Sequence, residues 1–325
     1  MKLKLQTILK VAVTLAAFAI VVFALRGVDP ARALRVLLAA NLPLVLAALA
    51  AQATTIAISL TRWKYQLHPA QKVPIGTLVS PLLVSYAVGN TTPTGVGLVP
   101  RVYLLGRRTA IDSAFIAGTL IQEYVLDGLA VVLLAFLASF IVDLPPQFRQ
   151  VQIVLLPALL ALSLIVLGFW RRRSIAVDFL RRLGVWDRLI AFLPDWITKR
   201  LDAFENGLCA AFAQPLTLTA IALTTLAFWT VQALFFWLML LSLGIPFTYL
   251  QASVVMAFVQ IIIGIPAAPG SFGTQEAVAI TSVLALGGDS ASALAFAVLL
   301  RLFYLGPVTL VGAFLAWREG WRLTR

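Results

Sequence analysis

Residues 266–276 read PAAPGSFGTQE and place two prolines, two glycines and a carboxylate inside sequence that is otherwise strongly apolar from 247 to 286. Broken backbone at membrane depth is tolerated only where protein or a water-filled cavity lines it, because a bilayer core offers no hydrogen-bond partners. The stretch therefore reads as half of a built site. A second stretch, TPTGVGLVPR at 92–101, interrupts the first half of the chain in the same manner.

The surrounding composition fixes the class. With 61% hydrophobic and 12% charged residues, the 325-residue chain is far less charged than soluble domains, in which the charged share is about 25%. It reads as an all-α polytopic membrane protein. A span needs about 20 apolar residues, and six segments are assigned as spans: 11–25, 42–60, 111–142, 151–170, 215–243 and 291–317. Residues 26–41 are a short mixed segment suited to a membrane surface. Two shorter broken segments, 74–105 and 247–286, read as re-entrant helical hairpins. The single cysteine and single histidine, Cys209 and His68, exclude an internal disulfide and a multi-histidine metal site, and both are assigned structural roles.

Charge placement orients this topology. Nineteen of the 25 lysines and arginines fall on one side, four on the other, and Arg101 and Arg301 within membrane segments. By the positive-inside rule both termini are cytoplasmic. In a bacterial-type cell the membrane would be the cytoplasmic, inner one. The RWKY at 62–65 reads as a basic and aromatic interface anchor. The net charge of +12 is accounted for by topology, leaving no separate patch for nucleic acid. The one sizeable polar region, 174–213, places Trp186, Leu189, Ile190, Leu193, Ile197, Leu201, Phe204 and Leu208 at helical spacing opposite lysines and arginines. It reads as amphipathic helix on the cytoplasmic surface.

The two broken segments share spacing with exchanged charge. Arg101 follows Gly97 by four residues and Glu276 follows Gly273 by three; Glu123 follows Asp112 by eleven and Arg301 follows Asp289 by twelve. At about 1.5 Å per residue, Glu123 and Arg301 sit roughly 16–18 Å into their helices, near the midplane of a core about 30 Å thick. The chain then reads as one domain with an inverted-topology repeat, halves 74–142 and 247–317, related as in many transporters. Asp127 shares a helix face with Glu123, and Tyr304 with Arg301.

Charges at such depth cost several kcal/mol unless paired, and they mark substrate or ion pathways. The candidate substrate site is Arg101, Glu123, Asp127, Glu276, Arg301 and Tyr304, with Glu276 expected beside Arg101 or Arg301 and meeting charges of the other half. Its backbone is shaped by Pro93, Gly95, Gly97, Pro269, Gly270 and Gly273, which permit tight turns and expose amides. The five charges sum to −1, so an anionic headgroup enters only if a carboxylate takes up a proton or a pair opens. A purely structural alternative is that these pairs lock the hairpins together. Neither a metal cluster, nor an activated nucleophile, nor a nucleotide loop was found in the sequence, and no cofactor or enzymatic activity is expected.

The runs PTGVGLVPRVYLL, EYVLD at 123–127, PGSFGTQEA and LLRLFYLGP, with Arg62–Trp63 after the second helix, resemble the lysylphosphatidylglycerol synthase transmembrane, flippase-like family over nearly the whole chain. Arg101, Glu123, Asp127, Pro269, Gly270, Gly273, Glu276 and Arg301 match its signatures. Tyr124 stands where the family often has Arg, and Thr94 separates a usual Pro-Gly pair. The soluble aminoacyl-transferase domain of some members has no counterpart here, so lipid aminoacylation is not expected. The resemblance implies movement of a lipid between leaflets, the cargo being an anionic or aminoacylated phospholipid or a polyprenyl- or hopanoid-type lipid. A scaffold for a lipid-synthesis enzyme and, third, a membrane-embedded lipid-modifying enzyme remain alternatives, and homo-oligomers are compatible with each.

Overall fold

The computed structural model describes residues 29–92, 96–142, 157–158, 161, 194–210, 214–263 and 271–323. Two of the six expected spans, 11–25 and 151–170, fall outside the described residues in whole or large part, as do residues 174–193 and the backbone positions Pro93, Gly95, Pro269 and Gly270.

Among the described residues the chain is helical. A short helix α1 (Pro30–Leu38) leads into α2 (Leu42–Leu67), followed by α3 (Ile75–Thr91), α4 (Leu98–Gly106) and α5 (Ser113–Ser139). After the undescribed stretch come α6 (Asp195–Leu208), α7 (Pro215–Ser242), α8 (Tyr249–Ile263), α9 (Thr274–Ala285) and α10 (Ser290–Leu300). A π turn over Arg301–Leu305 joins α10 to α11 (Gly306–Leu323). Four helices are long and apolar enough to cross a membrane: Leu42–Leu67, Ser113–Ala138, Pro215–Ser242 and the combined Ser290–Gly320. They coincide with the four expected spans on described residues. The chain is a multi-pass membrane protein.

Helix starts follow from capping chemistry. Asp112 and Asp289, expected to open helices, do so: their carboxylates accept from the amides of Ala114 and of Ala291 and Ser292. Asn41 caps α2, and its own amide donates to the Ser242 carbonyl at 2.8 Å. That bond ties the start of α2 to the end of α7, so the two long helices run antiparallel.

Each broken segment is a helix pair whose members pack on each other. In the first, a Cβ on Gly97 would stand 2.8 Å from the Ser85 carbonyl oxygen and 2.9 Å from the Gly89 Cα. Only a residue without a side chain fits this approach. At the other end of the pair, Arg108 donates to the Thr77 carbonyl at 3.4 Å. Pro81, inside α3, has no amide to offer that carbonyl one turn back, and the arginine supplies a donor. In the second pair, Leu286 at the end of α9 clusters with Leu250 and Val254 near the start of α8. Both chains return to where they began.

The frame joining the pairs is α5. Its start follows directly on α4, while Ala138 and Val142 at its end cluster with Val254 of α8. The bases of the two pairs thus lie at opposite ends of a helix about 40 Å long. The expected surface helix α6 is docked along the first half of α5: a Cβ on Gly118 would meet the Phe204 carbonyl oxygen at 2.2 Å, and one on Gly207 the Phe115 oxygen at 2.1 Å. Gln122 donates to the Leu208 carbonyl at 2.6 Å. Trp196 and Leu201 of α6 remain exposed.

The final helix carries a similar close approach, with Gly312 against Leu83 and Ala87 of α3 and Asn90 donating to Thr309 at 2.9 Å. Small residues let membrane helices meet at backbone distance. A Cβ at Gly312 would lie 2.1 Å from the Leu83 oxygen, whereas Gly128 in α5 has nothing within 4 Å. Gly312→Ala is expected to cost about 1–3 kcal/mol through overpacking, and Gly128→Ala to stabilise by roughly 0.5–1 kcal/mol through helix propensity. Thermal unfolding of both variants in detergent checks the contrast; equal midpoints would show that α3 and α11 are not in backbone contact.

Candidate functional site

The sequence-identified charges assemble in two clusters, each joining the return helix of a pair to the long helix that follows it. In the first, Arg101 of α4 donates from Nη2 to Glu123 Oε2 at 2.9 Å and from Nη1 to Oε1 at 3.3 Å. In the second, Arg301 donates from Nε to Glu276 Oε1. The pairing is the same with the signs exchanged. Glu276 was expected beside Arg101 or Arg301, and it meets Arg301. Its partner lies within the same stretch, 247–317, which corrects the expectation that it faces charges of 74–142.

The largest correction concerns Arg62. The second span was expected to end near residue 60, with Arg62 at the water interface; α2 instead continues to Leu67 and Arg62 is 1% exposed. Its guanidinium takes Asp127 in bidentate fashion, Nη1 to Oδ1 at 2.5 Å and Nη2 to Oδ2 at 2.9 Å, reaches Glu123 Oε1 from Nη2 at 3.0 Å, and contacts Thr225 Oγ1 at 3.3 Å. Trp229 of α7 adds a hydrogen bond to Asp127 Oδ1 at 3.0 Å. A planar guanidinium matches two carboxylate oxygens at once, which a lysine cannot do. With Arg62 included, three arginines face three carboxylates. The formal sum is zero, not −1, and among the described residues of the two clusters no surplus carboxylate is left to motivate proton uptake.

A signal for Arg62 exists in the sequence. Gln52, Thr55, Ser59, Arg62 and Gln66 recur at steps of three and four residues, one face of a helix, and all five are buried. Each step meets a partner helix: Gln52 with Gln232 of α7 at 3.5 Å, Ser59 with Tyr86 of α3 at 3.4 Å, and Gln66 with Gln122 of α5 at 3.5 Å. The expected shared face of Glu123 and Asp127 is realised, since both reach Arg62. Tyr124, between them, is exposed and lies outside the cluster.

In the second cluster the backbone itself is specialised. Gly273 adopts φ +84° and Ser271 φ +51°, the left-handed region in which only glycine is at ease. Glu276 returns its Oε2 to the Gly273 amide at 2.8 Å while Oε1 holds Arg301. One carboxylate thus caps α9 and neutralises the arginine. Phe272, exposed, lies with its ring 4.9 Å from the Arg301 guanidinium carbon. The π turn that carries Arg301 and Tyr304 ends just before Pro307, whose missing amide leaves the Phe303 carbonyl without its α-helical donor. Tyr304 packs against Phe235 and Phe236 of α7 and is within hydrogen-bond distance of Gln260 of α8, at 3.2 Å. Of the six expected backbone residues, Gly97 and Gly273 are described, and both stand where a side chain would not fit or would be strained.

Removing one member of a buried ion pair strands the other, at a cost of about 3–5 kcal/mol. Arg62→Ala, which strands Asp127 and half of Glu123, is expected to lose about that much. Chemical unfolding in detergent measures it; a loss below about 1 kcal/mol would mean the cluster is solvated like a surface pair.

Comparison with curated proteins finds no match. A family model described as the lysylphosphatidylglycerol synthase TM region matches residues 7–312, a range that contains both helix pairs and both ion clusters. The chain therefore belongs to the lysylphosphatidylglycerol synthase transmembrane family, whose members are membrane proteins of lipid metabolism.

Proposed function

We propose that this chain is a lipid transporter of the flippase type, moving a lipid between leaflets through a polar site near the bilayer midplane. One observation carries the reading: three arginines and three carboxylates, buried or partly buried, pair where two helix pairs break and return, on helices otherwise apolar enough to span a membrane. Ionisable side chains inside a membrane mark substrate paths, and broken helices at matching places in two halves mark transporter sites.

In this arrangement six spans surround two re-entrant hairpins that enter from opposite faces, the halves 74–142 and 247–317 being an inverted repeat within one domain. The support is the position of the two hairpin bases at opposite ends of α5. Both termini lie in the cytoplasm, and the membrane is the inner membrane of a bacterial-type cell. Arg101 and Arg301 hold the headgroup phosphate, while Glu123, Asp127 and Glu276 balance them. The acyl chains stay in the bilayer. A neutral site with separated charges suits a headgroup carrying both signs, such as an aminoacylated phospholipid; a purely anionic phospholipid or polyprenyl-type lipid requires one pair to open.

The function is transport without chemistry on the lipid. A second reading, a scaffold for a lipid-synthesis enzyme, draws support from the exposed Trp196 and Leu201 on α6.

Purified protein in liposomes with headgroup-labelled phosphatidylglycerol, aminoacylated phosphatidylglycerol or a polyprenyl phosphate is expected to move at least one of them between leaflets. Arg301→Ala is expected to slow that movement by about tenfold or more, the equivalent of one lost charge-assisted hydrogen bond. Absence of movement with all three lipids would sink the transport reading. Cellular function lost through substitutions at Trp196 and Leu201 but kept in Arg301→Ala would favour the scaffold.

A further inference from the structure

Four buried polar atoms at the first ion cluster find no hydrogen-bond partner among the described residues: Arg62 Nε, Trp63 Nε1, Arg101 Nε and Gln66 Oε1. Three of the four are N–H donors. Buried donors in folded proteins are almost always satisfied, and an orphan calls for a water, an ion or a ligand. These three belong to side chains in mutual contact or on a shared acceptor. The Arg101 guanidinium carbon lies 4.0 Å over the Trp63 ring, and Arg62 and Arg101 both donate to Glu123 Oε1. Trp63 is fully buried.

Glu123 sits between these two guanidiniums in the manner of a bound oxyanion, one oxygen shared and the other taken by Arg101 alone. Asp127 is held differently. It takes Arg62 in bidentate fashion and is fixed from the other side by Trp229. Asp127 thus keeps Arg62 in place whether or not Glu123 is present. The four charges of the cluster sum to zero with the Glu123 carboxylate in its seat and to +1 with it withdrawn. A phosphodiester monoanion would restore neutrality.

We propose that Arg62, Trp63 and Arg101 form an oxyanion subsite in which the Glu123 carboxylate is an internal stand-in, and that the phosphate of a lipid headgroup displaces it. This rests on the transport reading for its ligand class and adds to it two residues, Arg62 and Trp63, and an exchange step. No bond is made or broken. The guanidiniums and the indole N–H trade one oxyanion for another, as planar, bidentate donors can. The orphaned donors are then the positions at which a larger, tetrahedral anion finds hydrogen bonds that a carboxylate does not reach.

The test is equilibrium binding of phosphatidylglycerol by the purified full chain in mixed micelles, with dioleoylglycerol, which lacks the phosphate, as the control lipid. Glu123→Gln removes the charge of the internal competitor and is expected to tighten phosphatidylglycerol binding by about tenfold while leaving dioleoylglycerol unchanged. Trp63→Phe keeps an aromatic ring beside Arg101 and removes the orphaned N–H with the five-membered part of the indole. It is expected to weaken phosphatidylglycerol binding by about threefold to tenfold while leaving dioleoylglycerol unchanged, with a lower thermal midpoint from the space the smaller ring leaves. A purely structural Trp63 predicts no change in binding. If Glu123→Gln does not fold, Trp63→Phe decides alone. Unchanged phosphatidylglycerol binding in the folded variants would overturn the subsite. Inorganic phosphate bound as tightly as phosphatidylglycerol would overturn the assignment to a lipid headgroup. Wild-type protein that moves lipid while both variants bind normally defeats this inference alone. The expected binding changes without any lipid movement defeat the transport reading and leave the subsite standing.

Discussion

The structure depends on charge neutralisation out of water. A guanidinium buried without a counter-charge would cost more than most single interactions in a folded protein return, so Arg62 dictates that α2 lie against α5 and α7, where Asp127, Glu123, Thr225 and Trp229 wait. The same requirement fixes each return helix on the long helix after it, through Arg101 with Glu123 and through Arg301 with Glu276. Between apolar helices in lipid there is no hydrophobic force to choose one neighbour over another. Ion pairs and shape make the choice.

Shape is supplied where side chains are absent or the backbone is interrupted. Gly118 with Gly207, Gly97 with Gly89, and Gly312 with Leu83 bring helix backbones to distances that any larger residue would prevent. Pro81 and Pro307 each remove one donor from a helix, and in each case the surroundings respond: Arg108 supplies the Thr77 carbonyl, and the turn at Arg301–Leu305 widens. A break that would be a defect in an isolated helix becomes a fixed point of the assembly.

Much of this was legible before the fold. Long apolar runs located the four described spans, since length and hydropathy alone decide that question, and capping aspartates marked the starts of α5 and α10. Arg101, Glu123, Asp127, Glu276 and Arg301 stood out because charge is costly in such segments. Arg62 did not, because it lies two residues beyond the apolar run that ends at Leu60, beside Trp63, Lys64 and Tyr65, which look like an interface. Only the three-and-four spacing from Gln52 to Gln66 places it on the buried face. That Glu276 pairs with Arg301 and Arg101 with Glu123, and not Glu276 with Arg101, could not be read from spacing, which gives depth along a helix but not rotation about it. The widened turn after Arg301 also leaves no mark in hydropathy; Pro307 is its one trace.

That turn has a consequence for the last helix as a whole. An α-helix advances 100° per residue, so a turn that absorbs an extra residue rotates everything beyond it relative to everything before. Upstream, Ser290–Leu300 packs on α9 and on α1; downstream, Gly306–Leu323 presents Thr309 and Gly312 to α3. A single continuous rod is thereby able to show one face to the second hairpin and another to the first. The two helix pairs are held in phase by the count of residues between Arg301 and Leu305, so that in this helix length acts as a form of specificity, much as register does between paired strands.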